Sequence, residues 1–269
     1  MTYEALIVER NGPVMKVTLN RPDVRNALSP QMLAELGEVF GEARDDEAVR
    51  VLVLMGAGNN FCAGGDFRGM QKSDAALGTG TEATAASNRR FGAFLEMADA
   101  FPKALIVLVE GACMGGGVGL VAVADWVIAE KSAQIGTPEV TVGIVPAQIT
   151  PFIVQRIGSA HARRLAAFGL RLSAEEAHRI GLVHELAANH GELMDKGAAA
   201  INQCLRCAPG AVAETKKLVR ASAREGLSSV LDNASHVFAA ALAGDAKEGI
   251  RAFLEKRKPA WLKKIERLG

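Results

Sequence analysis

The sequence predicts an α/β fold over residues 1–205, followed by a helical module over residues 206–269. Strand-like runs, Val51–Met55, Leu105–Val109 and Trp126–Ala129, alternate with helical patterns in the first part. Two glycine clusters, Cys62–Asp66 and Gly115–Gly117, each lie just past such a run, where a strand turns into a helix. Beyond residue 150 helical periodicity dominates, with Ser173-Ala174-Glu175-Glu176 reading as a capping box and Ala208-Pro209-Gly210 as the clearest break.

Residues 5–10 and 14–20 alternate as a hairpin turning at Asn11-Gly12, and Asn20-Arg21-Pro22-Asp23 ends it. Ser29-Pro30 reads as an N-cap with proline at the first helical position. That helix runs to about residue 44 with Met32, Leu33, Leu36, Val39 and Phe40 on one face. A buried strand follows at 51–55. Residues 71–86, rich in Ala, Thr, Gly and Ser, read as a loop, either a lid over the first glycine cluster or a slack connection. A helix is expected over 87–100, a strand at 105–109, and a helix of small residues opening at the second glycine cluster. Strands at 126–129 and near 133–135 come next, then a short strand at 181–185. Helices near 190–206, 210–223, 227–242 and 245–256 complete the chain.

With 269 residues, 49% hydrophobic and 23% charged, the chain has enough apolar sequence for a sizeable core. A net charge of +1 and only 5% aromatic residues disfavour a nucleic-acid surface and give no field toward anionic membranes. The apolar stretch Val118–Ala129 is broken by Asp125 and is too short to span a bilayer. The N-terminus carries no secretory pattern, so a cytoplasmic location is expected. Cys204-Leu205-Arg206-Cys207 has C-x-x-C spacing but no second pair and sits in a helical pattern, so it reads as structural. His161, His178, His184, His190 and His236 show no metal-ligand spacing and fit helix surfaces or strand ends; no metal or cofactor is expected.

Two glycine turns can point two bare backbone N–H groups at one spot, which is the geometry that stabilises a developing oxyanion. Glu139, in Gly136-Thr137-Pro138-Glu139, is the candidate general base, with partial burial raising its pKa toward a useful range. Together they suit an acyl-thioester enzyme that stabilises an enolate. Asp66 reads more as a structural cap than as an acid. Arg68 and Arg90 are either partners for a substrate carboxylate or solvated surface residues. Lys216-Lys217 reads as a solvated face, whereas Lys256-Arg257-Lys258 could touch phosphates.

An ordered set of segments resembles the enoyl-CoA hydratase/isomerase (crotonase) superfamily: Asn20-Arg21-Pro22 with Arg25–Leu28, Phe61–Asp66, Gly111–Gly117, Ala124-Asp125, Gly136–Glu139, Ala174–Ala177 with Gly181–Val183, and Phe253–Arg257. The resemblance implies a crotonase-like ββα spiral, a coenzyme A thioester as substrate, and homotrimers often paired into hexamers through the helical C-terminal module. It implies that the N–H groups of Gly65 and Gly116 hold the thioester oxygen and that Glu139 is the base. It places the nucleotide and thioester near Val24, Arg25, Ala27, Ala63, Gly64, Asp66, Phe67, Met114 and Pro138, with Phe253 and Lys256 reaching a neighbouring subunit's nucleotide. Coenzyme A is then part of the substrate and no separate cofactor is needed. Gly143–Phe152, Asn88–Ala93 and Arg206–Pro209 look most like the isohexenylglutaconyl-CoA hydratases of acyclic terpene breakdown, with methylglutaconyl-CoA hydratases a related possibility.

The chain departs from the best-known hydratases at one place. They carry a second glutamate two residues past the glycine triplet; here that residue is Gly119. Hydration would then rest on Glu139 nearly alone, or on a carboxylate or water outside the usual pair. An isomerase that shuttles one proton with a single glutamate is the alternative reaction. A weakly active acyl-CoA-binding protein is the alternative outside catalysis, because fold does not prove activity.

Overall fold

The computed structural model describes residues 3–66 and 80–268. Strands β1 (Leu6–Asn11) and β2 (Val14–Leu19) form the antiparallel hairpin read from Asn11-Gly12. From β2 onward the main sheet is parallel: β2 pairs with β3 (Val51–Gly56), β3 with β4 (Ala104–Val109), β4 with β6 (Trp126–Glu130), and β6 with β9 (Glu185–Ala187). A second sheet pairs β5 (Ala112–Met114), β7 (Gln134–Gly136) and β8 (Arg171–Ser173). The chain therefore lays one strand in the large sheet and the next in the small one, β4 then β5 and β6 then β7, which winds it into a spiral of ββα turns.

A parallel sheet is covered on both faces, so its strands are continuously apolar. All six residues of β3 and of β4 are buried. Leu52 and Leu54 face the larger core, which is closed by α1 (Pro30–Asp45), α2 (Thr81–Asp99), α3 (Gly116–Ala122) and α4 (Thr150–Ala167). Val51, Val53 and Met55 face the other way, against Leu193, Ile201 and Leu205 of α6 (His190–Leu205). Ser29 caps α1 as expected, its hydroxyl accepting from the Met32 N–H at 3.1 Å. Ser173 likewise caps α5 (Ala174–Arg179) through the Glu176 N–H at 3.2 Å, but the Glu176 carboxylate turns to Arg164 and Arg179 instead of completing the box.

Two boundaries differ from those read in the sequence. Helix α2 begins at Thr81 rather than 87, because its first turns are an exposed Ala/Thr stretch that forms helix without an apolar period. The strand expected at 181–185 is β9 at 185–187; Gly181, at φ +82°, instead closes α5, and the Leu182 N–H returns to Ala177 O at 2.9 Å. The three-residue strands β5 and β8 were not foreseen. Residues 71–79 of the expected loop lie outside the described residues.

The last helices, α7 (Pro209–Ser222), α8 (Leu227–Ala243) and α9 (Asp245–Leu254), bury only Val230 and Ala252. Polar ties join them to the core: Arg224 to Asp99 at 2.7 Å, Lys216 to Asp125 at 2.5 Å, and Arg50 Nη2 to Cys207 O at 2.6 Å. Among the described residues no helix is long and apolar enough to cross a membrane.

Candidate active site

The first glycine turn is pinned by a parallel bridge between Leu28 and Gly65. The Leu28 N–H donates to Gly64 O at 2.8 Å and the Asp66 N–H to Leu28 O at 3.0 Å. Those bonds use the neighbours of Gly65, so the Gly65 N–H points to the opposite side. Gly64 sits at φ +103°, a conformation that L side chains rarely adopt. The second turn has Gly115 at φ +51°, its N–H bound to Gly136 O at 2.9 Å. Gly116 is the first residue of α3, where backbone N–H groups have no partner within the helix.

The same Gly115–Gly136 bond fixes the carboxylate. Three residues after Gly136, Glu139 stands in the 3-10 turn Pro138–Val142 and folds back onto the triplet: a Cβ at Gly115 would lie 2.7 Å from Glu139 Oε1. Glu139 is half-buried, and its Oε2 has no hydrogen-bond partner among the described residues. Burial pushes its pKa above the ordinary carboxylate value.

Gly65, Gly116 and Glu139 line one cavity of about 530 Å³. Its walls come from α1, from α2 through Phe91, Phe94 and Met97, and from the loop 144–149. Arg90 also lines it. This side chain is exposed and has no ion-pair partner among the described residues, whereas its neighbour Arg89 pairs with Glu96 at 2.7 Å. The place of a second carboxylate is apolar: a Cβ at Gly119 would lie 2.6 Å from Ile149 Cγ2 and 3.2 Å from Leu95 Cδ1.

The other sequence candidates lie in several places. Val24, Arg25, Ala27 and Ala63 form a ledge beside the first turn, joined by the Ala63 N–H to Arg25 O at 2.9 Å. Gly64 and Met114 pack against each other, a Cβ at Gly64 lying 3.3 Å from Met114 O, and Pro138 opens the 3-10 turn that carries Glu139. Asp66 pairs with Arg21 at 2.8 Å, while Arg21 Nη1 also donates to Ala27 O at 2.6 Å. Phe253, 82% exposed, and Lys256 lie at the end of α9 and do not line the cavity. Phe67 and Arg68 lie outside the described residues. Among the described residues no cluster of His, Cys, Asp or Glu could hold a metal; His190 pairs with Glu110 at 2.9 Å and Cys204 and Cys207 are free thiols. Arg21, Phe91 and Ile149 were not singled out from the sequence as site residues. Each nonetheless lies in a segment that carried the resemblance: Asn20-Arg21-Pro22, Asn88–Ala93 and Gly143–Phe152.

Two glycine turns and a half-buried carboxylate lining one largely apolar cavity are an arrangement that suits stabilisation of an enolate beside an acid–base group. The enoyl-CoA hydratase/isomerase family model matches residues 9–264. A crystal structure of an enoyl-CoA hydratase/isomerase from Marinobacter aquaeolei is 45% identical, with a TM-score of 0.92 over 96% of this chain and 99% of that one. Pseudomonas aeruginosa AtuE is 48% identical, with a TM-score of 0.93 over 97% of this chain and all of that one. A carnitinyl-CoA dehydratase of Salmonella arizonae is 34% identical over 268 residues, 96% of this chain and 98% of that protein. The chain belongs to the enoyl-CoA hydratase/isomerase family, and its fold is the crotonase spiral. It is an enzyme of the hydro-lyase type acting on acyl-CoA.

Proposed function

We propose that this enzyme adds water to an α,β-unsaturated acyl-CoA whose acyl group is branched or carries a carboxylate, of the glutaconyl type. The observation that carries the reaction is the meeting of Gly65, Gly116 and Glu139 on one cavity. The two N–H groups hold the thioester oxygen. Glu139 takes a proton from water as the water oxygen attacks C3, and the C2–C3 π electrons move into the enolate. The protonated Glu139 then returns its proton to C2, restoring the thioester and the base. Each donor is worth about 100–1000-fold in rate. Arg90 supports a carboxylated acyl group, because it offers a guanidinium with no ion-pair partner among the described residues to the same cavity. An isohexenylglutaconyl thioester, suggested by the resemblance, has both the branch and the acid.

The coenzyme A carrier is assigned to the ledge of Val24, Arg25, Ala27 and Ala63, and the enzyme to the cytoplasm. Residues 206–269 are assigned to oligomerisation, with Phe253 and Lys256 reaching a neighbouring copy's nucleotide. One observation favours a second reaction: Ile149 fills the place of a second carboxylate, and a single glutamate suffices to move a proton between C2 and C4.

The test follows the enoyl-thioester absorbance with crotonyl-CoA and 3-methylglutaconyl-CoA, each beside Glu139→Gln. Loss of the band with the carboxylated substrate, abolished in the variant, is the expected result. An Arg90→Ala enzyme should raise KM for that substrate about tenfold, the order of a charge-assisted pair, and leave crotonyl-CoA within twofold. A band that persists with both substrates would sink hydration of either.

A further inference from the structure

The catalytic cavity ends against a second space. An open groove of about 500 Å³, lined by Thr81, Thr84 and Ala85, shares Asn88, Val145 and Ala147 with it. At their junction Gln148 Nε2 donates to Asn88 Oδ1 at 2.9 Å, tying the loop 144–149 to α2. The seat for Gln148 is cut into α2 by a missing side chain: a Cβ at Gly92 would collide with Gln148 Oε1. Gln148 is half-buried and Asn88 exposed. An amide pair of this kind competes with water and adds little net stability, so it closes the wall without locking it.

We propose that the Gln148–Asn88 pair is a partition that sets the length of acyl chain the enzyme accepts. Closed, it ends the cavity behind a short acyl group. Opened, it lets the distal end of a longer apolar chain pass between α2 and the loop 144–149 into the groove, whose mixed Thr, Ala and Val lining suits a chain end near solvent. Gln148 and Asn88 are thus specificity-determining residues that touch neither the thioester nor Glu139. This rests on the acyl-CoA reading of the cavity.

The test is equilibrium binding of two saturated thioesters, butyryl-CoA and decanoyl-CoA, by titration calorimetry. Neither can be hydrated, so the result does not depend on turnover. Gln148→Ala and Asn88→Ala remove the same bond from opposite walls, the first at a half-buried and the second at an exposed position, and each only shortens a side chain. Each should raise the ratio of decanoyl to butyryl affinity about tenfold over the unaltered enzyme, and the double variant should go no further than either single one. A ratio that rises less than twofold in either variant, or that falls, overturns the partition. If neither thioester binds the unaltered enzyme at all, the acyl-CoA reading fails together with it.

Discussion

Glu139 carries a cost that the fold bears at neutral pH. Its folded pKa is raised by burial, so the native state favours the protonated form. The stability this lends is present below the ordinary carboxylate value and lost as pH rises through the folded value. Glu139→Gln removes the buried charge, and its melting temperature should exceed that of the unaltered enzyme. The same shift governs the rate with the opposite consequence. The ionised base is required, so kcat/KM should fall on an acid limb centred above the ordinary value of 4.5. Melting curves and a pH–rate profile check both; an enzyme whose variant melts lower while keeping its activity would contradict the role given to this carboxylate.

At the scale of elements, the sequence was readable wherever a local signal coincided with a fold requirement. Asn11-Gly12 set the β1–β2 hairpin and Ser29-Pro30 set the start of α1, because turn and cap chemistry act within a few residues. Strands β5 and β8 were missed although β7, equally short, was read near 133–135: β5 lies inside the second glycine motif and β8 runs into the capping serine Ser173, so turn and cap signals masked both. Gly65, Gly116 and Glu139, the candidates for donors and base, stood out because each lies at a strand end with a local motif. The cavity wall did not: Phe91, Gln148 and Ile149 meet only through packing of α2 against the loop 144–149. Cys62 belongs to the same class. Its N–H donates to Ala112 O at 2.9 Å and its carbonyl accepts from the Met114 N–H at 2.8 Å. Its sulfur accepts from the Gly64 N–H at 3.4 Å and would lie 3.4 Å from a Cβ at Gly117. Burial pushes the thiol up to about 12, so it is a neutral spacer between the two donor turns and no nucleophile. Cys62→Ala should lower kcat about tenfold, a share of one donor's worth, with KM within twofold. Cys62→Ser, which keeps an acceptor, should recover part of that loss. Equal losses in both variants would reduce Cys62 to simple packing.

Across the whole molecule the apolar surface is unevenly spread. Leu227, Leu231, Phe238, Leu242, Ile250 and Phe253 stand exposed on α8 and α9. The ion pairs that hold α7 to the core are partly solvated, and pairs of that kind contribute about 0–1 kcal/mol each. An exposed apolar array on weakly tethered helices fits burial against further copies of the chain. Light scattering on the purified protein should return the mass of a trimer or hexamer, and Phe238→Asp should lower it; a monomer at micromolar concentration would remove the assigned role of residues 206–269.

Arg21 adds a side-chain clasp to the backbone bonds between these two segments, gripping Asp66 with one nitrogen and the carbonyl of Ala27 with another. One grip is on the residue after a donor glycine and the other on the ledge assigned to the nucleotide carrier. If the carrier settles on that ledge as proposed, its binding would be passed as rigidity to the turn that the proposed reaction places at the thioester carbonyl. Affinity for the inert end of the substrate becomes alignment at its reactive end, so that a thioester stripped of its nucleotide would lose turnover as well as grip.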